Sequence, residues 1–159
     1  MSNPTQPLDL LAADAVGFKQ LENAQQGQHI DWARLKDQVK FDENGLIPAI
    51  AQQFDSKEIL MMAWMNAQSL AETLQTGRVC YWSRSRQNYW RKGEESGQVQ
   101  LLKELRLDCD GDAILLLVDQ TGPACHTGRK SCFYTTVNGQ TATINSNPLI
   151  DPKELYKHL

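Results

Sequence analysis

The sequence lacks any hydrophobic run long enough to cross a bilayer. Runs such as the six apolar residues of Ala113–Val118 fall far short of the about 20 that a transmembrane helix needs. The 159 residues also lack an excess of positive charge, since 16 Lys and Arg stand against 19 Asp and Glu, for a net charge of −3. General binding to nucleic acid or to an anionic membrane is therefore not expected, because both depend on a broad positive field.

A secretory leader is not expected either. The first Lys or Arg is Lys19, and no apolar h-region precedes it, whereas signal peptides begin basic and continue apolar. The expected compartment is the cytoplasm, where the four cysteines are expected to be thiols or metal ligands and not disulfides. The sequence has no C-x-x-C pair, which argues against a zinc ribbon or finger.

Composition predicts an N-terminal extension, residues 1–30, before a single domain, residues 31–159. The extension is rich in Asn, Gln, Pro and Ala and has one weak amphipathic stretch, Leu8–Leu21. In the domain, helices are predicted at Trp32–Val39 after the N-cap Asp31, from the N-cap Asn66 to Gln75 with Gly77 closing the helix, and at Pro152–His158.

Segments of strand character outnumber the helices and follow one another along the chain. The predicted strands are Leu46–Phe54, Glu58–Met65, Val79–Ser83, Val99–Leu107, Ala113–Asp119 and a hairpin at Phe133–Ile144 that turns at Asn138 and Gly139. Because it contains Pro48, the first of them is predicted to be an edge or starting strand. The fold class is therefore predicted as α+β, with a mainly antiparallel sheet and a few short helices.

Three carboxylates surround one thiol in Asp108–Asp112 (DCDGD). If this stretch is extended, alternation places its aspartates on one side and Cys109 on the other. Carboxylates this close repel one another unless a cation lies among them, and oxygen ligands suit Mg²⁺ or Ca²⁺. A solvated acidic turn between two strands is the alternative interpretation of this pattern.

A Gly-rich segment, Gly122–Cys132, contains two more thiols and one of the three histidines. Cys125 and Cys132 are seven residues apart, and Cys109 lies one strand and one turn earlier, so the three sulfurs can converge. Three thiolates beside His126 suit Zn²⁺ with an open position for water, which is the arrangement of a catalytic site. Burial as small hydrophobic residues is the alternative for these cysteines.

Two further predictions concern the surroundings of the cysteines. Arg129 and Lys130 lie between two of the thiols and would help to keep them ionised. Cys80 lies inside a predicted strand and is expected to be part of the core.

Four cations and four aromatic side chains lie within Tyr81–Lys92, which is unlike the rest of this acidic chain. Arg and hydroxyl side chains bind phosphate, and an aromatic face stacks on a heterocycle. A solvated basic loop whose aromatic residues serve the core is the alternative. Taken together, the acidic, thiol and basic segments describe one site with an anion clamp, a stacking surface, a hard cation and a soft cation.

Seven short stretches between about residues 31 and 135 together resemble one known family. They are Gly45–Gln52, Glu58–Asn66, Trp82–Arg86, Trp90–Glu94, Asp108–Asp112, Ala124–Gly128 and Ser131–Phe133. Each stretch is weak by itself, but the ordered set resembles the phosphoribosyl-AMP cyclohydrolases of histidine biosynthesis and is highly specific.

The resemblance implies a hydrolase that opens the adenine ring of 1-(5-phosphoribosyl)-AMP at the N1–C6 bond by a zinc-activated water. It implies Zn²⁺ on Cys109, Cys125 and Cys132, and Mg²⁺ on Asp108, Asp110 and Asp112. His126, beside a zinc ligand, is the candidate to carry a proton to the departing ring nitrogen, and orientation of the metal-bound water is its alternative role.

The same resemblance suggests how the substrate is bound. Arg84 and Arg86 are the candidates for a substrate phosphate, with Ser83 and Ser85 in support. Trp90 would face a base, and Lys92 would face a phosphate or a developing charge.

The family also implies an intertwined homodimer whose zinc site takes ligands from both subunits, so Cys109 need not reach Cys125 within one chain. This chain departs from the family pattern at Gln98, where the family usually has His. Because Gln can hydrogen-bond but cannot titrate, the change would either lower activity or shift more of the proton transfer to His126.

Two other functions are compatible with the residues themselves. One is a zinc-dependent deaminase or hydrolase of another nucleotide, although the H-x-E and P-C-x-x-C signature of zinc deaminases is missing from the sequence. The other is a non-enzymatic, zinc-stabilised RNA-binding module, against which the net charge of −3 argues. The expected partners are a small nucleotide substrate and a second copy of the chain, with no nucleic acid and no membrane.

Overall fold

The computed structural model describes residues 17–156. Its strands are Ile47–Gln53 (β1), Ile59–Met65 (β2), Cys80–Ser83 (β3), Asn88–Arg91 (β4), Gln100–Leu107 (β5), Ile114–Gln120 (β6), Thr135–Asn138 (β7) and Thr141–Ile144 (β8). Its helices are Phe18–Leu21 (α1), Trp32–Leu35 (α2), Ala67–Thr76 (α3) and Pro152–Leu155 (α4), with a 3-10 turn at Lys36–Gln38. None of the helices within this range is long and apolar enough to cross a membrane.

Six strands form one curled sheet in the order β4-β3-β2-β1-β6-β5. Only the β1–β6 pair is parallel, and the other neighbours in this sheet run antiparallel. An isolated bridge joins Arg78 to Leu101, and the amide of Leu102 donates to the carbonyl of Gly77 over 2.8 Å. These bonds connect the segment before β3 to β5, so the sheet bends round on itself. The predicted α+β class with a mainly antiparallel sheet is confirmed.

The strand that was expected at an edge lies in the middle of the sheet. β1 pairs with β2 on one side and with β6 on the other, so the edge alternative is wrong and the starting alternative is correct. Pro48 lies opposite Trp64 of β2, whereas the pairing with β6 begins only at Ala49. A proline fits there because the strand's second ladder has not yet begun and its missing N–H is not needed.

The core lies inside the curled sheet and alternates along its central strands. Ile47, Ala49 and Ala51 of β1 are fully buried, as are Leu116 and Val118 of β6. Such alternation is the burial pattern of a strand with one covered face. The buried central strands therefore fix the positions of the loops that precede and follow them. These loops carry candidate functional residues.

Helix α3 lies across β2 and β3, and its ends carry the signals expected of them. Asn66 and Ser69 form a reciprocal capping box, and Gly77 ends the helix in the left-handed region at φ 71°. The predicted helix and its caps are therefore confirmed. The helix is also joined to β4, because Arg91 forms a bidentate ion pair with Glu72 over 2.9–3.1 Å.

The structure differs from the sequence-based expectations in two shorter elements. The strand β4 was not among the predicted strands; it pairs with β3 from Cys80↔Arg91 to Ser83↔Asn88. The helix expected at Trp32–Val39 is α2 followed by the 3-10 turn. The predicted hairpin at its Asn-Gly turn is confirmed as β7 and β8.

The chain termini test the remaining predictions only in part. Most of the amphipathic stretch Leu8–Leu21 lies outside the described residues. The part of the stretch that is described contains α1, at its C-terminal end. The helix predicted over Pro152–His158 is present as α4, while its last residues lie outside the described range.

Candidate functional site

The three aspartates between β5 and β6 lie together. The carboxylate oxygens of Asp108, Asp110 and Asp112 are within 4.8 Å of one another, and all three residues are exposed. They converge through a turn and not through the alternation expected of an extended chain, because Gly111 adopts a positive φ of 73°. Among residues 17–156, this is the single group of three His, Cys, Asp or Glu side chains close enough to hold one metal ion.

The electrostatics of this aspartate turn favour a bound cation. Slight burial opposes ionisation of Asp108, but hydrogen bonds from the backbone amides of Asp112 and Ala113 outweigh it and lower its pKa. Hydrogen bonding with Asp108 and then with Asp110 raises the pKa of Asp112. Clustered carboxylates with no cation among them oppose each other's ionisation, and a divalent ion removes that cost.

Cys125 and Cys132 form a second donor group, the thiol pair. Cys125 is buried, and its backbone amide closes a loop by donating a hydrogen bond to the carbonyl of Arg129 over 3.1 Å. The backbone amide of Cys132 donates to the carbonyl of Leu60 in β2 over 2.7 Å. Burial raises the pKa of the Cys132 thiol to about 12, and the adjacent Cys125 adds to the rise. Thr127 also donates its hydroxyl to the Cys125 sulfur over 3.1 Å. The Cys132 sulfur needs a cation nearby if it is to ionise.

Lys92 directly follows β4, and its positive charge acts on the thiol pair. Its side chain is largely buried (the residue is 7% exposed), and burial lowers its pKa while Cys132 and Cys125 act in the opposite direction. Arg129 and Lys130, which were expected in this role, are engaged elsewhere. Arg129 lies 4.0 Å above the ring of Tyr134, and Lys130 forms a 2.7 Å ion pair with Glu58.

A polar cavity of about 480 Å³ opens beside Lys92. Six of the residues singled out from the sequence line it, namely Ser83, Ser85, Arg86, Trp90, Lys92 and His126. The hairpin of β3 and β4 supplies the first five of these, and the loop after β6 supplies the histidine. The structure therefore brings the anion-binding candidates together with His126, the neighbour of Cys125.

One predicted binding residue lies apart from this cavity. The guanidinium of Arg84 lies 4.8 Å from the centre of the Trp64 ring, in a shallow depression that also includes Met62 and Trp82. Arg84 and Arg86 point to different places because they occupy the tight turn between β3 and β4, in which Gln87 has φ 50°.

Sequence reasoning did not single out several residues that line the cavity. Glu94, Glu95 and Ser96 follow β4, and Tyr156 comes from the end of the described chain. Glu94 ends the Trp90–Glu94 stretch named above, and Glu95 follows it. Their position in the sequence, directly after the anion-binding residues, was the only signal that these two carboxylates line the cavity. Tyr156 lies far from the others in sequence, and no local pattern indicates it.

Cys109 lies away from the thiol pair within one chain. It lines an apolar cavity of about 660 Å³ together with Phe18 and Leu107, and the three sulfurs form no cluster in the part of the chain that the structure describes. One chain thus offers two neighbouring sulfurs and one distant, exposed sulfur. This donor set fits zinc only if a third ligand reaches the pair from elsewhere.

Gln98 contacts the loop that carries the thiol pair but does not line the cavity. Its side chain occupies the space in which a Cβ on Gly122 would lie, with its Cδ only 2.9 Å from that position, and Nε2 donates to the carbonyl of Ser96 over 3.3 Å. The amide therefore packs on the start of the loop.

Cys80 serves the core, as expected. Burial, and next the neighbouring Glu72, raise the pKa of its thiol to about 12. In protein stripped of metal, at pH 8, we expect iodoacetamide to modify Cys109, which is exposed, and to leave Cys80 unmodified until the protein unfolds, because the thiolate is the reactive form. Mass spectrometry of peptides from native and denatured protein measures this. Equal labelling of the two cysteines in the native protein would contradict it.

The arrangement of these residues indicates a class of enzyme. Clustered carboxylates, a pair of neighbouring thiols and a cavity lined by cations, hydroxyls and an aromatic ring are features of an enzyme that acts on an anionic small molecule. The family model described as phosphoribosyl-AMP cyclohydrolase matches residues 61–134. The chain also has full-length relatives, and together these matches show that it belongs to the phosphoribosyl-AMP cyclohydrolase family, a family of hydrolases of histidine biosynthesis.

The relatives are similar over most of their length. A phosphoribosyl-AMP cyclohydrolase of Hydrogenovibrio crunogenus is 77% identical over 140 residues, which cover 88% of this chain and 95% of the relative. Proteins of the same name from Halorhodospira halophila and Chromohalobacter salexigens are 61% and 63% identical over 139 residues, covering 87% of this chain and 98% and 95% of the relatives. This similarity confirms the enzyme class and favours it over a nucleotide deaminase or an RNA-binding module.

Proposed function

We propose that the protein hydrolyses the N1–C6 bond of the adenine ring of phosphoribosyl-AMP at a zinc site completed by a second copy of the chain. The observation that carries this proposal is the position of the thiol pair. Cys125 adjoins His126, which lines the same cavity as Arg86 and Trp90. A metal held at the pair would therefore lie beside a pocket that suits a phosphorylated nucleotide.

The substrate would be held through its phosphates and its base. The Ser83 hydroxyl accepts a hydrogen bond from the amide of Arg86 over 3.3 Å and lies 3.4 Å from the hydroxyl of Ser85, so the turn presents hydroxyls and a guanidinium on one side. These groups bind a phosphate by charge-assisted hydrogen bonds. Trp90 offers a ring face for the base. Arg84 would strengthen the positive field from its place above Trp64 and would not contact the phosphate.

Ring opening requires a nucleophile at C6 and a proton for N1. A zinc ion held at the thiol pair would lower the pKa of a bound water to about 7. The water oxygen would bond to C6 as the C6–N1 bond breaks, the electron pair would stay on N1, and N1 would take a proton in place of the one that the water loses. His126 is placed to deliver that proton because it adjoins Cys125 and lines the cavity. Lys92 partly offsets the rise in the pKa of the Cys132 thiol, and it would face negative charge on the substrate.

The third zinc ligand is proposed to be Cys109 of a second copy. Within one chain this sulfur does not join the pair, and it is exposed, so another chain can reach it. The β7–β8 hairpin and the segments beside it expose apolar side chains, including Val137 (73% exposed), Phe133, Ile144 and Leu149. Exposed apolar groups of this kind suit an interface. The aspartate turn would hold Mg²⁺, which offsets the charge of a substrate with two phosphates.

Turnover of phosphoribosyl-AMP by the purified protein tests this function. Ring opening changes the ultraviolet absorbance, so the reaction can be followed directly. We expect turnover that a chelator abolishes and that zinc, with magnesium present, restores. Absence of turnover in protein loaded with both metals would overturn the proposal and favour another nucleotide substrate. Retained turnover in protein from which all zinc has been removed would overturn the zinc mechanism alone.

A further inference from the structure

Phe18 of α1 packs directly on the aspartate turn. The residue is only 8% exposed, and its ring fills the space that a side chain on Gly111 would need. A Cβ at Gly111 would lie 2.6 Å from Cζ of the ring, which is well inside van der Waals contact. Gly111 is the residue that bends the chain between Asp110 and Asp112, so the ring contacts the turn at its pivot.

A second contact holds the same residue from another direction. The carbonyl of Gly111 accepts a hydrogen bond from the backbone amide of Lys40 over 2.8 Å. Both Phe18 and Lys40 precede residues 61–134, the stretch that the family model matches. Segments outside the matched region therefore fix the geometry of a turn inside it.

This support matters because the conformation of the turn is electrostatically unfavourable when no cation is bound. Three carboxylates within 4.8 Å of one another repel when no cation is present. Inside the turn, the Asp108 carboxylate accepts bonds from the amides of Asp112 and Ala113, but both acceptor and donors are exposed to water, so these bonds are weak restraints. A packed aromatic ring at the pivot keeps the turn from opening.

We propose that Phe18, in the N-terminal extension, is a positioning residue of the aspartate turn, which it holds in the conformation that binds a divalent cation. The inference rests on the proposed magnesium function of this turn. A binding site whose ligands are already in place loses less entropy when the ion binds. The extension would thus contribute to metal affinity without contributing a ligand.

Amide hydrogen exchange tests the proposal without any metal. In the full-length, metal-free Phe18→Ala variant we expect the amides of Asp112 and Ala113 to exchange about tenfold faster than in the wild type. Leu21→Ala is the matched control, because Leu21 belongs to the same helix and lines the same apolar cavity. It should leave both amides unchanged while reducing thermal stability. Phe18→Leu, which keeps apolar bulk but loses the ring, should be intermediate and serves if the alanine variant does not fold.

Magnesium titration by calorimetry gives the second readout. Phe18→Ala should weaken Mg²⁺ binding about tenfold, as loss of outer-shell support does in other metal sites, and Leu21→Ala should weaken it less than twofold. Unchanged exchange at Asp112 and Ala113, or equal effects of the two variants, would overturn the positioning role. Faster exchange in Phe18→Ala, with no Mg²⁺ binding even by the wild type, would support the positioning role and overturn the magnesium function.

Discussion

Replacement of Cys132 by serine is expected to remove tightly held zinc and to reduce turnover of phosphoribosyl-AMP by about a thousandfold or more. The thiol pair brings two sulfurs together within one chain, and serine is a poor zinc ligand. Loss of the metal removes the water of lowered pKa on which the proposed reaction depends. Metal analysis of the purified variant and the absorbance assay measure the two effects.

Cys80→Ala is the matched control for this experiment. Cys80 is a buried thiol with a raised pKa, but it belongs to β3, packs against α3 and has no part in the site. We expect it to keep its zinc and its turnover. If Cys132→Ser keeps zinc and turnover as well, the thiol pair is not the metal site. If it unfolds when zinc is lost, the metal is structural and not catalytic.

Replacement of Asp110 by asparagine is expected to weaken Mg²⁺ binding by at least about tenfold. Asparagine keeps the size and one oxygen of the side chain but removes one of three charges that converge at the turn. Asp110 is a better choice than Asp108, because the carboxylate of Asp108 also accepts two backbone hydrogen bonds. Turnover should fall at low Mg²⁺ and recover in part when Mg²⁺ is raised, which the absorbance assay can measure.

The melting temperature of the metal-free protein distinguishes a role of Asp110 in Mg²⁺ binding from a role in folding. Asp110 is among the groups that raise the pKa of Asp112, so its neutralisation relieves repulsion. We expect Asp110→Asn to melt at a slightly higher temperature than the wild type without Mg²⁺ and at a lower temperature with it. Asp37→Asn, an exposed change of equal charge in the 3-10 turn, should alter neither Mg²⁺ affinity nor turnover. A lower melting temperature in both conditions would mean that Asp110 serves the fold.

The candidate metal ligands were predictable because their signals are local. Three carboxylates separated by single residues cannot lie far apart in any conformation, and the structure brings them within 4.8 Å. The way in which they converge was not predictable to the same degree. An extended chain was expected, whereas Gly111 bends the chain into a turn, and the contact that fixes this turn comes from Phe18, about ninety residues earlier in the chain.

The charged neighbours of the thiol pair show where local reasoning fails. Arg129 and Lys130 are next to the cysteines in sequence, but Tyr134 and Glu58 hold them elsewhere. Lys92 takes their place because β4 ends beside the loop that carries Cys125. Sequence distance says nothing of this, since it depends on which strands meet across the curled sheet.

The position of β1 has a similar cause. Proline in a strand indicates a missing hydrogen-bond donor, and an edge satisfies that condition. A strand's end satisfies it equally well, and Pro48 lies just before the pairing with β6 begins. The sequence pattern therefore defines the local requirement, and only the order of strands decides how it is met.

The most direct test of a shared zinc site is the mixing of two inactive variants. Cys109→Ser and Cys132→Ser chains, each inactive alone, are produced together and assayed for turnover of phosphoribosyl-AMP and for zinc. If each site takes Cys109 from one chain and the thiol pair from the other, half of the dimers are mixed and each has one intact site. Turnover and zinc content should then return to about one quarter of the wild-type values. Mixed chains that are as inactive and zinc-free as the separate variants would contradict a site shared between two copies.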